Sequence, residues 1–281
     1  AMQLPKAPGG PAGAPEESHL IPTVDSEESL PVVMGYRPDV DGLRAVAVIS
    51  VIIYHINPQL LPGGFVGVDV FFVISGYVVT GSLLGHSCIS ASDFLCGFYA
   101  RRVKRLTPAL VLVVTLIGLF ISILIPPGLK HVDDYFAGGM CALCGMSNMF
   151  FGWLSLQGDG GYWDEMTGED RMVANPFVHT WSLGVEEHFY LVFPLLVVIA
   201  HGQRVIASAP HRPAWPYSII VFGICCAVSV WISWSMTAHV SDLAFYTLPA
   251  RFWELASGAI IADVERSGRS SWPAACKGAA Q

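Results

Sequence analysis

Leu106-Thr-Pro-Ala-Leu-Val-Leu-Val-Val-Thr-Leu-Ile-Gly-Leu-Phe-Ile-Ser-Ile-Leu-Ile-Pro-Pro127 contains no charged residue, and Arg101-Arg-Val-Lys-Arg105 stands directly before it. A run of this length is what an α-helix needs to cross a hydrocarbon core of ~30 Å. Working outward, six more apolar segments of similar character appear at residues 43–61, 65–84, 135–156, 181–200, 217–236 and 243–263. No stretch of domain size separates them, and no internal repeat is evident. The expected fold is an all-α, polytopic transmembrane helix bundle of six or seven segments.

Composition agrees. The chain is 53% hydrophobic and 13% charged, where a soluble domain carries about a quarter charged residues. Its mean hydropathy is +0.53. Eight Trp suit rings seated at a bilayer interface. Net charge is −7, and in the first 35 residues Glu16, Glu17, Asp25, Glu27 and Glu28 face only Lys6. That balance excludes a nucleic-acid partner. Residues 1–35 read as a disordered acidic tail, 36–265 as the membrane domain and 266–281 as a polar tail. Of seven cysteines, Cys225 and Cys226 lie in an apolar run and behave as small hydrophobes. Cys141 and Cys144 form a C-x-x-C with no second pair nearby, which reads as small residues for helix packing rather than a metal or redox site.

Loop charge orients the segments. Arg101, Arg102, Lys104 and Arg105 place the connection between the second and third segments in the cytoplasm, and the N-terminus with it. Arg204, Arg212, Arg266, Arg269 and Lys277 suit the same side, whereas the acidic stretch Asp159–Asp170 suits the outside. These assignments agree with six crossings if residues 135–156, rich in Gly, Cys and Met, do not span. The expected localisation is therefore an integral, multi-pass membrane protein with a cytoplasmic N-terminus.

Ionisable groups inside apolar segments cost ~2.5–3.5 kcal/mol each on insertion, so each is a functional candidate. Arg44 and His55 lie eleven residues apart, which puts them within ~20° of one helix face and ~16 Å apart along it. They suit a transfer path with a cation at one mouth and an acid–base group deeper in. The bland alternatives are snorkelling of Arg44 beside Asp41 and a helix-to-helix hydrogen bond for His55. Asp69 and Ser75 interrupt Phe65-Val-Gly-Val-Asp-Val-Phe-Phe-Val-Ile-Ser-Gly-Tyr77, where Gly67 and Gly76 permit close helix approach. Asp69 is expected to orient His55 or to make a structural interhelical bond.

In His179-Thr-Trp-Ser-Leu-Gly-Val-Glu-Glu-His-Phe-Tyr190, Glu186 and Tyr190 share a face while Glu187 turns ~100° away. One carboxylate can then face a cavity and the other a neighbouring helix. Zinc held by His179, Glu186 and His188 matches no standard ligand spacing, so no metal is expected. Arg251 and Glu254 can neutralise each other at i, i+3. The cluster Arg101, Arg102, Arg105 anchors a helix end, and its guanidinium forks also suit phosphates.

Taken together, these stretches resemble the acyltransferase 3 family. The resemblance rests on Tyr36-Arg-Pro-Asp-Val-Asp-Gly-Leu-Arg-Ala45, the Arg44-x10-His55 spacing and Gly64-Phe-Val-Gly-Val-Asp-Val-Phe-Phe-Val-Ile-Ser-Gly76. It also rests on Phe98-Tyr-Ala-Arg-Arg-Val-Lys-Arg-Leu-Thr-Pro-Ala109, His179-Thr-Trp-Ser-Leu-Gly-Val-Glu-Glu187 and Arg251-Phe-Trp-Glu254, all in the family's order. It implies transfer of an acyl group, often from acetyl-CoA, to a hydroxyl of a sugar or cell-surface glycan. The family's essential Arg and His fall on Arg44 and His55, and its basic motif falls on Arg101, Arg102 and Arg105. Asn175 to Ser182 looks like the branch with an added extracytoplasmic esterase-like domain.

His188 stands where the family usually has Gln. The family's membrane unit also holds more helices than this chain supplies, so the chain is expected to be an N-terminal portion of it. From resemblance and residues together, the expected catalytic set is His55, Arg44, Asp69 and Glu186. Donor contacts are expected from Arg101, Arg102 and Arg105, and Ser75, His179, Glu187 and Tyr190 are further cavity candidates. The expected partners are membrane lipid, acyl-CoA and a sugar or glycan acceptor. Intramembrane Arg, His and Glu also serve transporters, and a partial helix set also suits an inactive partner subunit; the lack of paired repeats argues against transport.

Overall fold

The computed structural model describes residues 37–85, 90–126, 128, 131–157, 175–201 and 215–271. Every regular element among them is helical: α1 Pro38–Ile56, α2 Gly67–Leu84, α3 Ala91–Leu124, α4 Val132–Leu143, α5 Ser147–Leu156, α6 Trp181–His201, α7 Trp215–Thr237, α8 Ser241–Tyr246 and α9 Leu248–Ser271. Short 3₁₀ turns at Gly64–Val66 and Val178–Thr180 lead into α2 and α6. The chain is thus an all-α bundle, as its apolar runs imply. Four helical stretches, Gly64–Leu84, Ser92–Leu124, Val178–His201 and Tyr217–Thr237, are long and apolar enough to cross a membrane. At 19 and 24 residues, α1 and α9 have the length too. They carry Asp39, Asp41 and Arg44, and Arg251, Glu254, Asp263 and Glu265, respectively. α9 also runs on to Ser271, into the stretch read as a polar tail. The acidic tail and residues 272–281 lie outside the described residues, as do Asp159–Asp170, Arg204 and Arg212.

Helix α3 departs from expectation. The basic residues Arg101–Arg105 belong not to a loop but to a helix of 34 residues. Ser90 opens it by accepting from the Asp93 backbone N–H at 3.1 Å, an N-cap. Arg, Lys, Ala and Leu are all strong helix formers, so the apolar span continues backwards without a break. At 1.5 Å per residue the helix reaches ~51 Å. Residues 106–124 alone cover ~28 Å of that, close to what a crossing needs without the basic turn.

Residues 135–156 form two short helices around a hairpin bend. Gly145 adopts φ +70°, with its N–H donating to the Ala142 carbonyl and the Met146 N–H donating to that of Cys141. This is a Schellman cap, which needs a left-handed residue that glycine supplies most readily. The hairpin enters beside Asn175, whose Nδ2 donates to the Asp134 carbonyl at 2.9 Å. At the bend, Gly145 meets the Glu187 side chain. Helix α5 then returns, with Gly152 against Tyr246, and Tyr246 in turn meets Trp181 at the start of α6. The segment enters and leaves by one end of the bundle, reaching ~9 Å down α6 from Trp181 to Glu187. The segment read as 243–263 is likewise broken, at Thr247 between α8 and α9.

The bundle is tightest where α9 lies on α2. A Cβ on Gly76 would fall on the Leu255 backbone, and one on Gly258 would fall on the Val73 carbonyl. Small residues facing each other let two backbones touch, which is how helices associate where lipid gives no hydrophobic drive. Aromatic rings fill the rest: Phe189 stacks on Phe193 at 4.3 Å, and Phe193 on Phe222 at 5.6 Å. Leu43, Val46, Ile49 and Ile52 of α1 and Leu112, Leu116, Phe120 and Ile123 of α3 are exposed, as suits faces whose solvent is lipid.

Charged clasps close the end of the bundle that holds the start of α1. Arg37 donates to the Tyr77 hydroxyl at 2.8 Å and to Glu265 at 2.6 Å, joining α1, α2 and α9. Its guanidinium also pairs with Asp39 at 2.7 Å. Nearby on α9, Asp263, 4% exposed, bonds His201 at 3.3 Å and accepts from the Ser218 hydroxyl. The end of α1 and the starts of α2, α6 and α9 form the opposite end.

Candidate active site on the α2–α6 seam

Asp69 lies in the first turn of α2 and pairs with Arg251 of α9. Arg251 also meets Glu254 at 3.1 Å, the i, i+3 pair that spacing predicts. The guanidinium lies 5.1 Å from the Phe72 ring, 5.3 Å from Trp181 and 5.1 Å from Phe245, close enough for cation–π attraction. Arg251 is 7% exposed and Glu254 3%. Asp69 is therefore the counter-ion of Arg251, the interhelical bond that was one of its two expected roles, rather than a partner placed to orient His55. A guanidinium attracts a carboxylate more strongly than a neutral imidazole does, and close α2–α9 packing brings the two together.

His55 stands near the end of α1, with Nδ1 2.9 Å from the Val51 carbonyl of its own helix. It is exposed and lies within electrostatic reach of His179. Two candidate imidazoles, 124 positions apart, thus share one end of the bundle. Arg44 takes the bland alternative: it pairs with Asp41 at 2.8 Å, one turn earlier. Arg44 and His55 stay ~16 Å apart along α1, and the seam lies one helix further in.

That seam is polar. Ser75 of α2 donates to Glu186 Oε1 at 2.6 Å, and Tyr190 donates to Glu186 Oε2 at 2.7 Å. Glu186 and Tyr190 share a face, as their spacing requires. The other carboxylate of the pair, Glu187, turns to the Gly145 bend of the hairpin. Below Tyr190, the Arg102 guanidinium lies 5.1 Å from that ring and 5.4 Å from Phe98. It is within electrostatic reach of Glu186. Arg101, Lys104 and Arg105 are exposed, whereas Arg102 is half-buried. The basic cluster is therefore split, with one cation facing in and three facing out.

Along α6, Trp181 to Glu186 is ~7.5 Å and Trp181 to Tyr190 is ~13.5 Å. Polar groups thus follow one another down the seam, from the histidines and the Arg251 cage through Ser75 and Glu186 to Tyr190 and Arg102. Hydroxyls bonded to both oxygens of a carboxylate fix its rotamer, and an imidazole is the side-chain type suited to take a proton from a hydroxyl. Among the described residues, no group of three or more His, Cys, Asp or Glu side chains could hold a metal ion.

A family model described as an acyltransferase domain matches residues 37–280. The chain belongs to the acyltransferase 3 family. Among curated relatives of this acyltransferase 3 chain, the O-acetyltransferase OatA of Staphylococcus aureus strain NCTC 8325 / PS 47 is 39% identical over 162 residues. OatA of strain COL matches to the same extent. The match covers 58% of this chain and 25% of each relative, so the chain spans about a quarter of their length. No solved structure matches it. Family membership and four apolar helices make it an integral membrane protein.

Sequence reasoning missed two parts of this acyltransferase domain, Asn148 and the His201–Asp263 pair, and read Asn175 only as part of a motif. Asn148 is fully buried and joins His188 Nδ1, at 3.2 Å, to the Tyr246 carbonyl, at 3.1 Å. A lone amide gives no charge signal. Asn175 caps the entry to α6 through the Phe177 N–H at 2.9 Å. His201 and Asp263 sit at the extreme ends of apolar segments, where a polar residue looks like an ordinary boundary. An acid just inside the last segment was the available signal.

Proposed function

We propose that this chain carries the membrane site at which an acyl group, acetyl in the simplest case, passes from coenzyme A to a hydroxyl of a sugar or cell-surface glycan. The observation that carries the reading is the polar seam, with outward-facing cations at one end and two histidines at the other. The relatives' printed activity, O-acetyl transfer, fits it. The N-terminus and the basic turn of α3 are assigned to the cytoplasm, where a donor nucleotide is available. Helices α1 and α9 join the four apolar helices as crossings, since the charges on α9 are paired inside the bundle.

The acceptor oxygen attacks the thioester carbonyl, the carbon–sulfur bond breaks, and the hydroxyl proton passes to the His55 imidazole. Coenzyme A leaves as a thiolate and takes up a proton to become the free thiol. Arg101 and Arg105, four residues apart on one exposed face, clamp donor phosphates. Glu186, held by two hydroxyls, stabilises positive charge that develops on the proton-carrying group.

The test is transfer of labelled acetyl from acetyl-CoA to membrane-associated or exported glycan by the full-length protein in membranes, with solute uptake followed in parallel. Acetyl transfer supports the reading. Uptake without transfer favours a transporter, and neither activity favours an inactive partner subunit.

A further inference from the structure

We infer that Arg102 is a positioning residue of the seam and that donor phosphates are met by Arg101 and Arg105 without it. The inference rests on the acyl-CoA reading above and divides a cluster that the sequence presents as one unit. Three observations carry it. First, helical geometry separates the side chains: Arg101 and Arg105 lie four residues apart on one face, and Arg102 is turned ~100° from Arg101. Second, burial follows that division, with Arg101, Lys104 and Arg105 exposed and Arg102 half-buried. Third, the buried guanidinium has specific neighbours, the Phe98 ring one turn back on α3 and the Tyr190 ring on α6.

Tyr190 donates to Glu186 at 2.7 Å. A cation against its ring therefore fixes the hydroxyl that fixes the carboxylate. Arg suits this role because its planar guanidinium stacks on aromatic faces, which an ammonium cannot do. Tyr99, next to Phe98, also reaches α6, with its hydroxyl 3.5 Å from the Leu191 carbonyl. The α3–α6 contact at this level is thus built from Arg102 and the turn before it. Arg102 acts through Tyr190 and Glu186, not on the reacting atoms.

The experiment compares R101K, R105K, R102K and R102Q, together with Y190F and the double variant R102Q/Y190F. The full-length protein in membranes is used, with acetyl-CoA as the probe and kcat separated from the donor KM. Arg102 variants are expected to lower kcat on the order of 10- to 100-fold, as small misplacements of catalytic groups do, with donor KM within about 2-fold of the parent. R101K and R105K are expected to raise donor KM with kcat largely kept. The double variant should be no slower than the slower of R102Q and Y190F alone, because both act on one contact. A rise in donor KM for R102K matching that of R101K would overturn the inference and return Arg102 to the phosphate clamp. Additive losses in R102Q/Y190F would overturn it too. Unchanged donor KM in R101K and R105K would overturn the phosphate clamp on those two residues; a parent protein that transfers no acetyl from acetyl-CoA is the separate outcome in which the acyl-CoA reading itself fails. R102K keeps the charge and most of the volume, so it reports even if R102Q fails to insert.

Discussion

Ser75 on α2 donates a 2.6 Å hydrogen bond to Glu186 on α6, 111 positions away in the chain. One serine thus ties together two helices that are each long and apolar enough to cross the membrane. It does so at the carboxylate around which the candidate site is built. Tyr190 occupies the other oxygen, so the two hydroxyls hold Glu186 from neighbouring helices.

Removing either donor should be felt in turnover more than in folding. A hydrogen bond to a charged group is worth about 1.5–3 kcal/mol. Ser75→Ala and Tyr190→Phe are each expected to slow acyl transfer about 10-fold or more. Steady-state rates in membranes, with equal amounts of inserted protein, check this; unchanged rates in both would remove Glu186 from the site.

The Arg251 cage predicts the opposite balance. Arg251→Met leaves buried Glu254 and half-buried Asp69 without their cation, and breaking the buried Arg251–Glu254 pair in this way costs about 3–5 kcal/mol. Adding Asp69→Asn and Glu254→Gln should recover much of that loss, because the uncompensated charges go with it. Thermal unfolding in detergent measures both steps.

Helix contact on the α2–α9 face can be tested through glycine. Gly76→Val and Gly258→Val place side chains on opposing backbone and should prevent accumulation of folded protein, since this contact cannot relax by moving a flexible side chain. At Gly42 of α1 nothing lies within 4 Å of an added Cβ. Gly42→Ala should be neutral or slightly stabilising, by up to about 1 kcal/mol from helix propensity. Expression and melting temperature distinguish the three variants.

The α4–α5 hairpin predicts topology. Single cysteines at Gly128 and Gln157, in a background without other cysteines, should react with an impermeant reagent from the same side of the membrane. Labelling from opposite sides would make the segment a crossing.

Much of this was legible in the sequence, for reasons that also mark the limits. Uncharged runs such as 106–127 leave an α-helix in lipid as the one economical fold, so helix identity was readable throughout. The placement of Glu186, Tyr190 and Glu187 on their faces followed from periodicity alone. Periodicity gives faces but not partners: Asp69 bonds Arg251, 182 positions away, and nothing in the order of residues distinguishes that from a bond to His55. Hydropathy also hides helix that continues past an apolar run, which is why Arg101–Arg105 looked like a loop. It equally hides a break inside one, such as the Schellman cap at Gly145 or the interruption at Thr247.

His55→Ala tests the central claim most directly. The measurement is transfer of labelled acetyl from acetyl-CoA by the full-length protein in membranes, beside the parent, with insertion and melting temperature followed on the same samples. His55 is exposed, so the protein should fold and insert as before while transfer falls by the 10²- to 10⁴-fold, roughly, that loss of a general base costs. Transfer at the parental rate by a folded His55→Ala protein would contradict the account and remove this imidazole from the chemistry.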